Sequence, residues 1–300
     1  MVLVVGSTGR LGSEVCRQLA AEGEHVRAMV RYTSDRNKVA DLRTSGVEFM
    51  YGDLKDYAGL RDECHDVKCV ICTANAMAAR QPGDTIEMVD HFGVFGLIDA
   101  AKRCQVERFV YISFRPHPTL QFPLGTAKRL VEEHLQQSGL AYTILHSCFF
   151  QELWLSPALG FDYANAQATL YGDGRNRLSW VSYRDVARLA VLARAHPAAV
   201  NATLEIGGPS ALSPLEAVRI FEEVGGRPFK VEHVPVNELR DELAGAPDPI
   251  LASLLGLQLY YADGYEMNMA ETLRVFPLQL TSVREHAQRV LEPLQELAAA

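Results

Sequence analysis

Three glycines spaced three residues apart, Gly6, Gly9 and Gly12, stand between an apolar run from Val2 to Val5 and a stripe made of Leu11, Val15 and Leu19. The four-residue recurrence is that of a helix packed by one face, and the short apolar run closed by glycine reads as a buried strand. A glycine turn between strand and helix lets main-chain amides approach an anion, and the helix dipole favours negative charge there. The segment is therefore expected to cradle a dinucleotide pyrophosphate, the alternative being a tight structural turn.

A second chemical signal lies at the end of the next strand, where the chain reads Val30, Arg31, Tyr32, with Arg36 and Lys38 close behind. A carboxylate at that strand end binds the ribose 2′-hydroxyl of NAD and repels a 2′-phosphate. An arginine pairs with the phosphate through charge-assisted hydrogen bonds, so NADP(H) is the expected cofactor. The competing reading is a solvated charge.

For proton transfer, a phenol and a lysine four residues apart on a helix would meet on one face, and the ammonium would lower the phenol pKa. Tyr51 and Lys55 have that spacing but straddle the end of a strand, and Leu124 stands four residues before Lys128. Lys128 itself falls near the start of a helix behind the carboxyl ends of two strands, where doubly wound sheets bind ligands. It is the leading catalytic or cofactor-orienting candidate, against an exposed lysine paired with Glu132 one turn on. Ser113 at a strand end and His117 just beyond it are weaker candidates for holding a carbonyl or supplying a proton.

No histidine pair shares a face with a cysteine or carboxylate at metal-ligand spacing, so no metal is expected. Cys69 and Cys72 form a C-x-x-C within a strand, where positions three apart point to opposite faces. Glycine-flanked serine nucleophiles are absent from the sequence. Phe149, Phe150, Trp154, Tyr260, Tyr261 and Met267 could wall a pocket for a small hydrophobic or aromatic substrate, although each alone is more often core.

The elements that must position these groups follow a strand-helix alternation. Strands are expected at Val2 to Val5, His25 to Val30, Val47 to Tyr51, Lys68 to Thr73, Arg108 to Ser113 and Tyr142 to Leu145. Helices lie between them, one capped by Ser34, a short one capped by Asp56, a long one over 84–104, and one over 126–138 held by Leu130, Val131 and Leu135. Nearly all-apolar strands in such an alternation predict a parallel, doubly wound α/β sheet. After Phe150 the rhythm changes. Thr169 to Tyr171 and Leu178 to Val181 flank Gly172-Asp173-Gly174 as a hairpin signal, Ser213 caps a helix ending at Gly225 and Gly226, and the remainder from Asn237 is mostly helical. The expected division is a dinucleotide-binding domain over 1–152 and a smaller, mostly C-terminal α/β substrate-binding portion over 153–300, with a strand near 203–206 returning to the main sheet.

Composition is that of an ordinary globular chain: 48% hydrophobic and 22% charged residues over 300. Twenty-nine Lys and Arg against 37 Asp and Glu give a net charge of -8, which argues against a nucleic-acid or anionic-membrane binder. No apolar stretch approaches a membrane span, and the amino-terminal run is too short for a signal-peptide core. Six scattered cysteines in a chain of this size are expected to be reduced, and the location cytoplasmic. A monomer or homodimer is expected.

The G-x-x-G-x-x-G loop, Val26 to Arg31, Gly52-Asp53-Leu54, Arg108 to Ser113, Lys128 with Glu132, Ser138 to Leu145, Tyr183-Arg184-Asp185 and Thr203 to Gly207 with Leu212-Ser213-Pro214 together resemble NmrA-like atypical short-chain dehydrogenases/reductases. That family includes isoflavone-reductase-like, quinone and triphenylmethane-dye reductases, and regulators that bind the dinucleotide without known turnover. The resemblance implies a Rossmann fold and an NADPH-dependent reductase, with an NADP(H)-sensing scaffold as the alternative. By the same resemblance Gly6, Thr8, Gly9, Arg10, Leu11 and Gly12 contact the pyrophosphate, Arg31 the 2′-phosphate, and Asp53 and Leu54 the adenine. Thr73, Ala74 and Asn75 then line the ribose, and Ser113, Phe114, Lys128, Cys148 and Phe149 surround the nicotinamide. His146 departs from the family, which often has arginine there.

Overall fold

The computed structural model describes residues 1–77 and 81–299. Seven strands form the main sheet: β1 (Val2–Val5), β2 (Val26–Val30), β3 (Glu48–Tyr51), β4 (Cys69–Cys72), β5 (Arg108–Ser113), β6 (Tyr142–Ser147) and, later in the chain, β9 (Ala202–Ile206). Their order is β3-β2-β1-β4-β5-β6-β9, and the ladders from β3 to β6 are parallel. The chain moves outward from β1 to β3 and then restarts on the other side at β4, so the strand order reverses beside β1. Ligands bind at such a reversal in open α/β sheets. β1 and β4 are buried at every position, as a central parallel strand covered on both faces must be, whereas edge strand β3 is only partly covered.

The crossover helices are α1 (Arg10–Ala21), α2 (Arg36–Thr44), α3 (Leu60–Glu63), α4 (Val94–Arg103) and α5 (Pro123–Gln137). Three of their starts differ from the sequence reading. Asp35, not Ser34, caps α2 by accepting from the amides of Asn37 and Lys38, because the Ser34 hydroxyl is engaged by the Arg31 amide at 3.0 Å. Asp56 accepts from the Gly59 amide at 3.2 Å in the turn before α3, and Gly59 is the cap. α5 starts at Pro123 rather than Thr126, since proline's missing N–H needs no partner at a first helical position.

The long helix expected over 84–104 is instead a π-type segment, Ile86–Gly93, followed by α4. Gly93 sits so close to its surroundings that a Cβ would meet Leu54 Cβ and the Met88 carbonyl, each at 2.8 Å. On α5 the buried stripe is Leu124, Ala127, Lys128, Val131 and Leu135, and Leu130 faces outward at 38% exposure, contrary to expectation.

The later elements are α6 (Gln151–Trp154), β7 (Phe161–Asp162), β8 (Gln167–Tyr171), α7 (Tyr183–Ala193), α8 (Pro214–Gly225), β10 (Lys230–Val234), α9 (Val236–Ala244), α10 (Pro249–Asp263), α11 (Ala270–Val275) and α12 (Val283–Ala299). A smaller sheet has the order β10-β8-β7. The hairpin expected around Gly172-Asp173-Gly174 does not form: β8 pairs parallel with β10, and Leu178 makes only single bridges to Leu212 and Tyr265. The Gly172 amide donates to Val234 at 2.8 Å, which extends the β10 ladder and leads the chain away from an antiparallel return. Ser213 and Glu216 form the expected capping box of α8, and Gly226 ends it in the left-handed region at φ 68°.

The chain divides into two compact units. The first comprises Met1–Pro116, Gln121–His146 and Val186–Leu204; the second comprises His117–Leu120, Ser147–Asp185 and the chain from Glu205 onward. Among the described residues no helix is long and apolar enough to cross a membrane.

Candidate dinucleotide and active site

Within the first unit the glycine loop is built by steric exclusion. Gly6 has φ +81°, and a Cβ there would lie 2.7 Å from the Ala74 amide nitrogen and from Thr73 Oγ1. A Cβ on Gly12 would fall 2.2 Å from the Gly6 carbonyl oxygen and 2.8 Å from Thr73 Oγ1. The Thr73 hydroxyl donates toward the Val5 carbonyl at 3.1 Å and lies 3.3 Å from that of Gly6, joining the end of β4 to the loop. Leu11 and Gly12 are buried, whereas Gly9 and Arg10 are exposed. Gly9 caps α1 in an extended conformation, no side chain caps the helix, and its first turn carries no acidic residue. Such a terminus suits an anion. Sequence reasoning missed Ser7, which is fully buried and donates to the Met29 carbonyl at 2.7 Å, tying the loop to β2.

At the end of β2, Arg31 Nη1 lies 2.5 Å from Asp84 Oδ2. Lys55 pairs with Asp84 Oδ1 and lies 3.5 Å from Asp53 Oδ2. Burial opposes the Asp84 charge, but hydrogen bonds from Lys55 and Arg31 hold its carboxyl below the usual value. Asp53 also accepts from the Lys55 amide at 2.9 Å, Leu54 is buried, and exposed Asn75 accepts from the Met77 amide at 3.0 Å. Tyr51 stacks on Tyr32 at 4.4 Å, away from any Tyr-Lys pairing with Lys55.

Lys128 is buried rather than exposed, and its hydrogen bond goes to main chain rather than to Glu132. Nζ donates to the Ile112 carbonyl at 3.1 Å and lies 4.6 Å from the centroid of Tyr111, a phenol supplied by β5. The π-type segment brings up Asp90, whose Oδ2 accepts from the Ala76 amide at 2.9 Å in the loop after β4. Asp90 Oδ1 and the Tyr111 hydroxyl are buried with no hydrogen-bond partner among the described residues. Burial lowers the Lys128 pKa, with Asp90 opposing the shift, and burial pushes the Asp90 carboxyl up to about 6, with Lys128 opposing. Burial also drives the Tyr111 phenol well above its ordinary range, so it stays protonated. A desolvated ammonium with a lowered pKa is a stronger acid than a solvated lysine.

Glu132 belongs to a different chain of contacts. Arg129 Nη2 donates to Ser113 Oγ at 2.9 Å, to the Phe114 carbonyl at 2.6 Å and to Glu132 at 2.7 Å, and His146 Nε2 lies 3.0 Å from the same Glu132 oxygen. Neither Arg129 nor Asp90 was singled out from sequence. Both occupy helical positions whose partners come from β5 and the β4 loop, which no local spacing records.

In the second unit, Phe149 is ringed edge-on by Trp154 at 4.9 Å, Tyr260 at 5.8 Å, Tyr261 at 6.0 Å and Tyr265 at 6.4 Å. Four of the six expected pocket residues therefore meet. Phe150 instead stacks on Tyr183 at 4.2 Å, and the Met267 amide donates to Ser179 Oγ at 2.9 Å. Cys148 is buried, its thiol 3.4 Å from the Tyr265 carbonyl. His117 Nδ1 accepts from the Leu120 amide at 2.9 Å, and Nε2 lies 3.1 Å from Asp263, so both ring nitrogens are engaged.

Comparison with known proteins adds relatives of two kinds. The chain is 27% identical to the photosystem II assembly factor Ycf39 of Cyanophora paradoxa, across 99% of this chain and 95% of that one. It is 29% identical to an NAD(P)H azoreductase of Xenophilus azovorans, across 83% and 82% of the two chains. Among solved structures, the NADPH-dependent quinone oxidoreductase QOR2 of Escherichia coli, complexed with NADPH, superposes with a TM-score of 0.77 at 18% identity, covering 97% of this chain and all of that one. The NmrA-like family matches over residues 1–287, and the chain is a member of it.

Proposed function

We propose that this protein is an NADPH-dependent reductase that delivers hydride to a conjugated carbonyl, quinone, imine or comparable hydrophobic acceptor. The observation that carries the reading is the glycine cradle, where a Cβ on Gly12 would fall 2.2 Å from the Gly6 carbonyl, ahead of a helix terminus no side chain caps. Residues 1–152 hold the dinucleotide and 153–300 supply the acceptor-binding surface. NADPH supplies the hydride. Gly6, Thr8, Gly9, Arg10, Leu11 and Gly12 hold its pyrophosphate, Arg31 its 2′-phosphate, Asp53 and Leu54 the adenine, and Thr73, Ala74 and Asn75 a ribose. Ser113 and Phe114 border the nicotinamide. Lys128 keeps a proton at Nζ in a desolvated setting and orients the ribose or protonates the reduced acceptor. The azoreductase and quinone oxidoreductase relatives support a reductase.

The test is turnover of stereospecifically deuterated NADPH against quinones, enones, imines and cationic dyes. Deuterium in the product, lost in Lys128→Met, is the expected result. NADPH binding without any acceptor reacting replaces the reading with a dinucleotide-sensing scaffold. That second reading is favoured by the full-length match to an assembly factor.

A further inference from the structure

The two cations at the adenosine end of the candidate site share one carboxylate. Asp84, whose side chain is 2% exposed, accepts from Arg31 Nη1 and from the Gln81 amide at 2.9 Å through Oδ2, and from Lys55 through Oδ1. The same segment is stitched to the turn after β2 a second time, through Gln81 Nε2 donating to the Thr33 carbonyl at 3.1 Å and the Gln81 Oε1 contact with the Thr33 hydroxyl. An acidic side chain therefore reaches the strand end that reads the 2′-position, although the residue directly after β2 is Arg31.

A carboxylate has about four lone-pair sites. Among the described residues three are used, by Arg31 and Gln81 on Oδ2 and by Lys55 on Oδ1, and the fourth, on Oδ1, accepts a ribose 2′-hydroxyl once cofactor entry uncovers the side chain. A 2′-phosphate offers no proton to that site. It carries up to about two negative charges, so it both repels Asp84 and competes with it for Arg31 and Lys55. The Asp84 charge is well supported by those same two cations, so the carboxylate meets either cofactor ionised.

We propose that Asp84 is a specificity-determining residue: an internal competitor for the 2′-phosphate and an acceptor for the 2′-hydroxyl. It holds the NADPH preference below what Arg31 and Lys55 alone would give. This inference rests on the dinucleotide-binding reading above and deepens it. When NADPH binds, Asp84 leaves Arg31 and the Gln81 amide loses its acceptor. When NADH binds, the Arg31–Asp84 pair stays intact.

Isothermal titration of NADPH and NADH into the full chain and into Asp84→Asn tests this directly. The variant keeps the side-chain shape and removes the charge. Its NADPH affinity should rise and its NADH affinity fall, multiplying the ratio of the two by about ten to a hundred, the range for hydrogen bonds to charged groups. A fall in NADPH affinity, or an unchanged ratio, overturns the proposal while leaving dinucleotide binding intact. Binding of neither cofactor to the native chain overturns both. Hydrogen exchange on the native protein is independent of the variant's folding: NADPH should speed exchange at the Gln81 amide and NADH should slow it. Slowing by both would show that Asp84 stays on Arg31 and would refute the competition.

Discussion

The Lys128 ammonium donates to the main-chain carbonyl of Ile112 at 3.1 Å, so a charged side chain on α5 is pinned to the end of β5 inside the first unit. Removing one partner from a buried group of charges leaves the other uncompensated. Lys128→Met should therefore destabilise the fold by about 1 to 3 kcal/mol, and Asp90→Asn in the same chain should recover most of that loss. Chemical denaturation of both single variants and the double variant measures the coupling. In the reductase reading Lys128→Met also lowers turnover by roughly a hundred- to ten-thousandfold. Near-native turnover would remove Lys128 from the mechanism.

Glu63 sets a pH dependence of known sign. Burial, reinforced by Asp56, Asp53 and Asp62, pushes its carboxyl from an ordinary value of 4.5 up to about 7. Between those values the folded chain binds more protons than the unfolded one, so stability falls as pH rises through the window. Glu63→Gln removes the titration. Its stability should match the parent near pH 4 and exceed it near pH 8 by about 3 kcal/mol. Urea denaturation at the two pH values checks this, and equal differences at both would exclude Glu63 as the source.

Gly12→Ala tests the cradle. The added carbon would lie 2.2 Å from the Gly6 carbonyl oxygen, which is main chain and cannot swing aside as a side-chain end could. We expect a loss of roughly 1 to 3 kcal/mol in stability and NADPH affinity reduced more than tenfold, read by thermal denaturation and titration. Gly23→Ala is the control: its φ of +78° carries strain, but nothing lies within 4 Å of the added carbon. It should destabilise without altering affinity.

The sheet was legible because its determinants are local: apolar runs at Val2 to Val5 and Lys68 to Thr73, and glycines where the chain turns. The π-type segment was not, because Ile86, Val89 and Gly93 suit an α-helix equally well, and the crowding of Gly93 by Leu54 joins residues far apart in the sequence. Lys128 could be singled out by its place in the chain, yet its burial was hidden by treating lysine as polar. The signal was present: position 128 falls in register with Leu124, Ala127, Val131 and Leu135. Asp90 has the same concealment beside Val89. The Arg31–Asp84 pair joins residues 53 apart and has no local signature at all.

Trp154 separates packing from recognition in the second unit. Its ring stacks on Tyr261 at 5.3 Å and meets Phe149 edge-on at 4.9 Å, and it is 7% exposed. Trp154→Leu removes its ring contacts with Phe149, Tyr171 and Tyr261 and leaves a void, at a cost of about 2 to 4 kcal/mol. If the cluster serves only as core, the surviving folded protein should retain its KM for every acceptor. In the reductase reading, KM rises severalfold for planar aromatic acceptors and stays constant for small aliphatic enones. Steady-state kinetics below the melting transition distinguishes the two, and a uniform change in kcat without a KM difference would assign the cluster to packing.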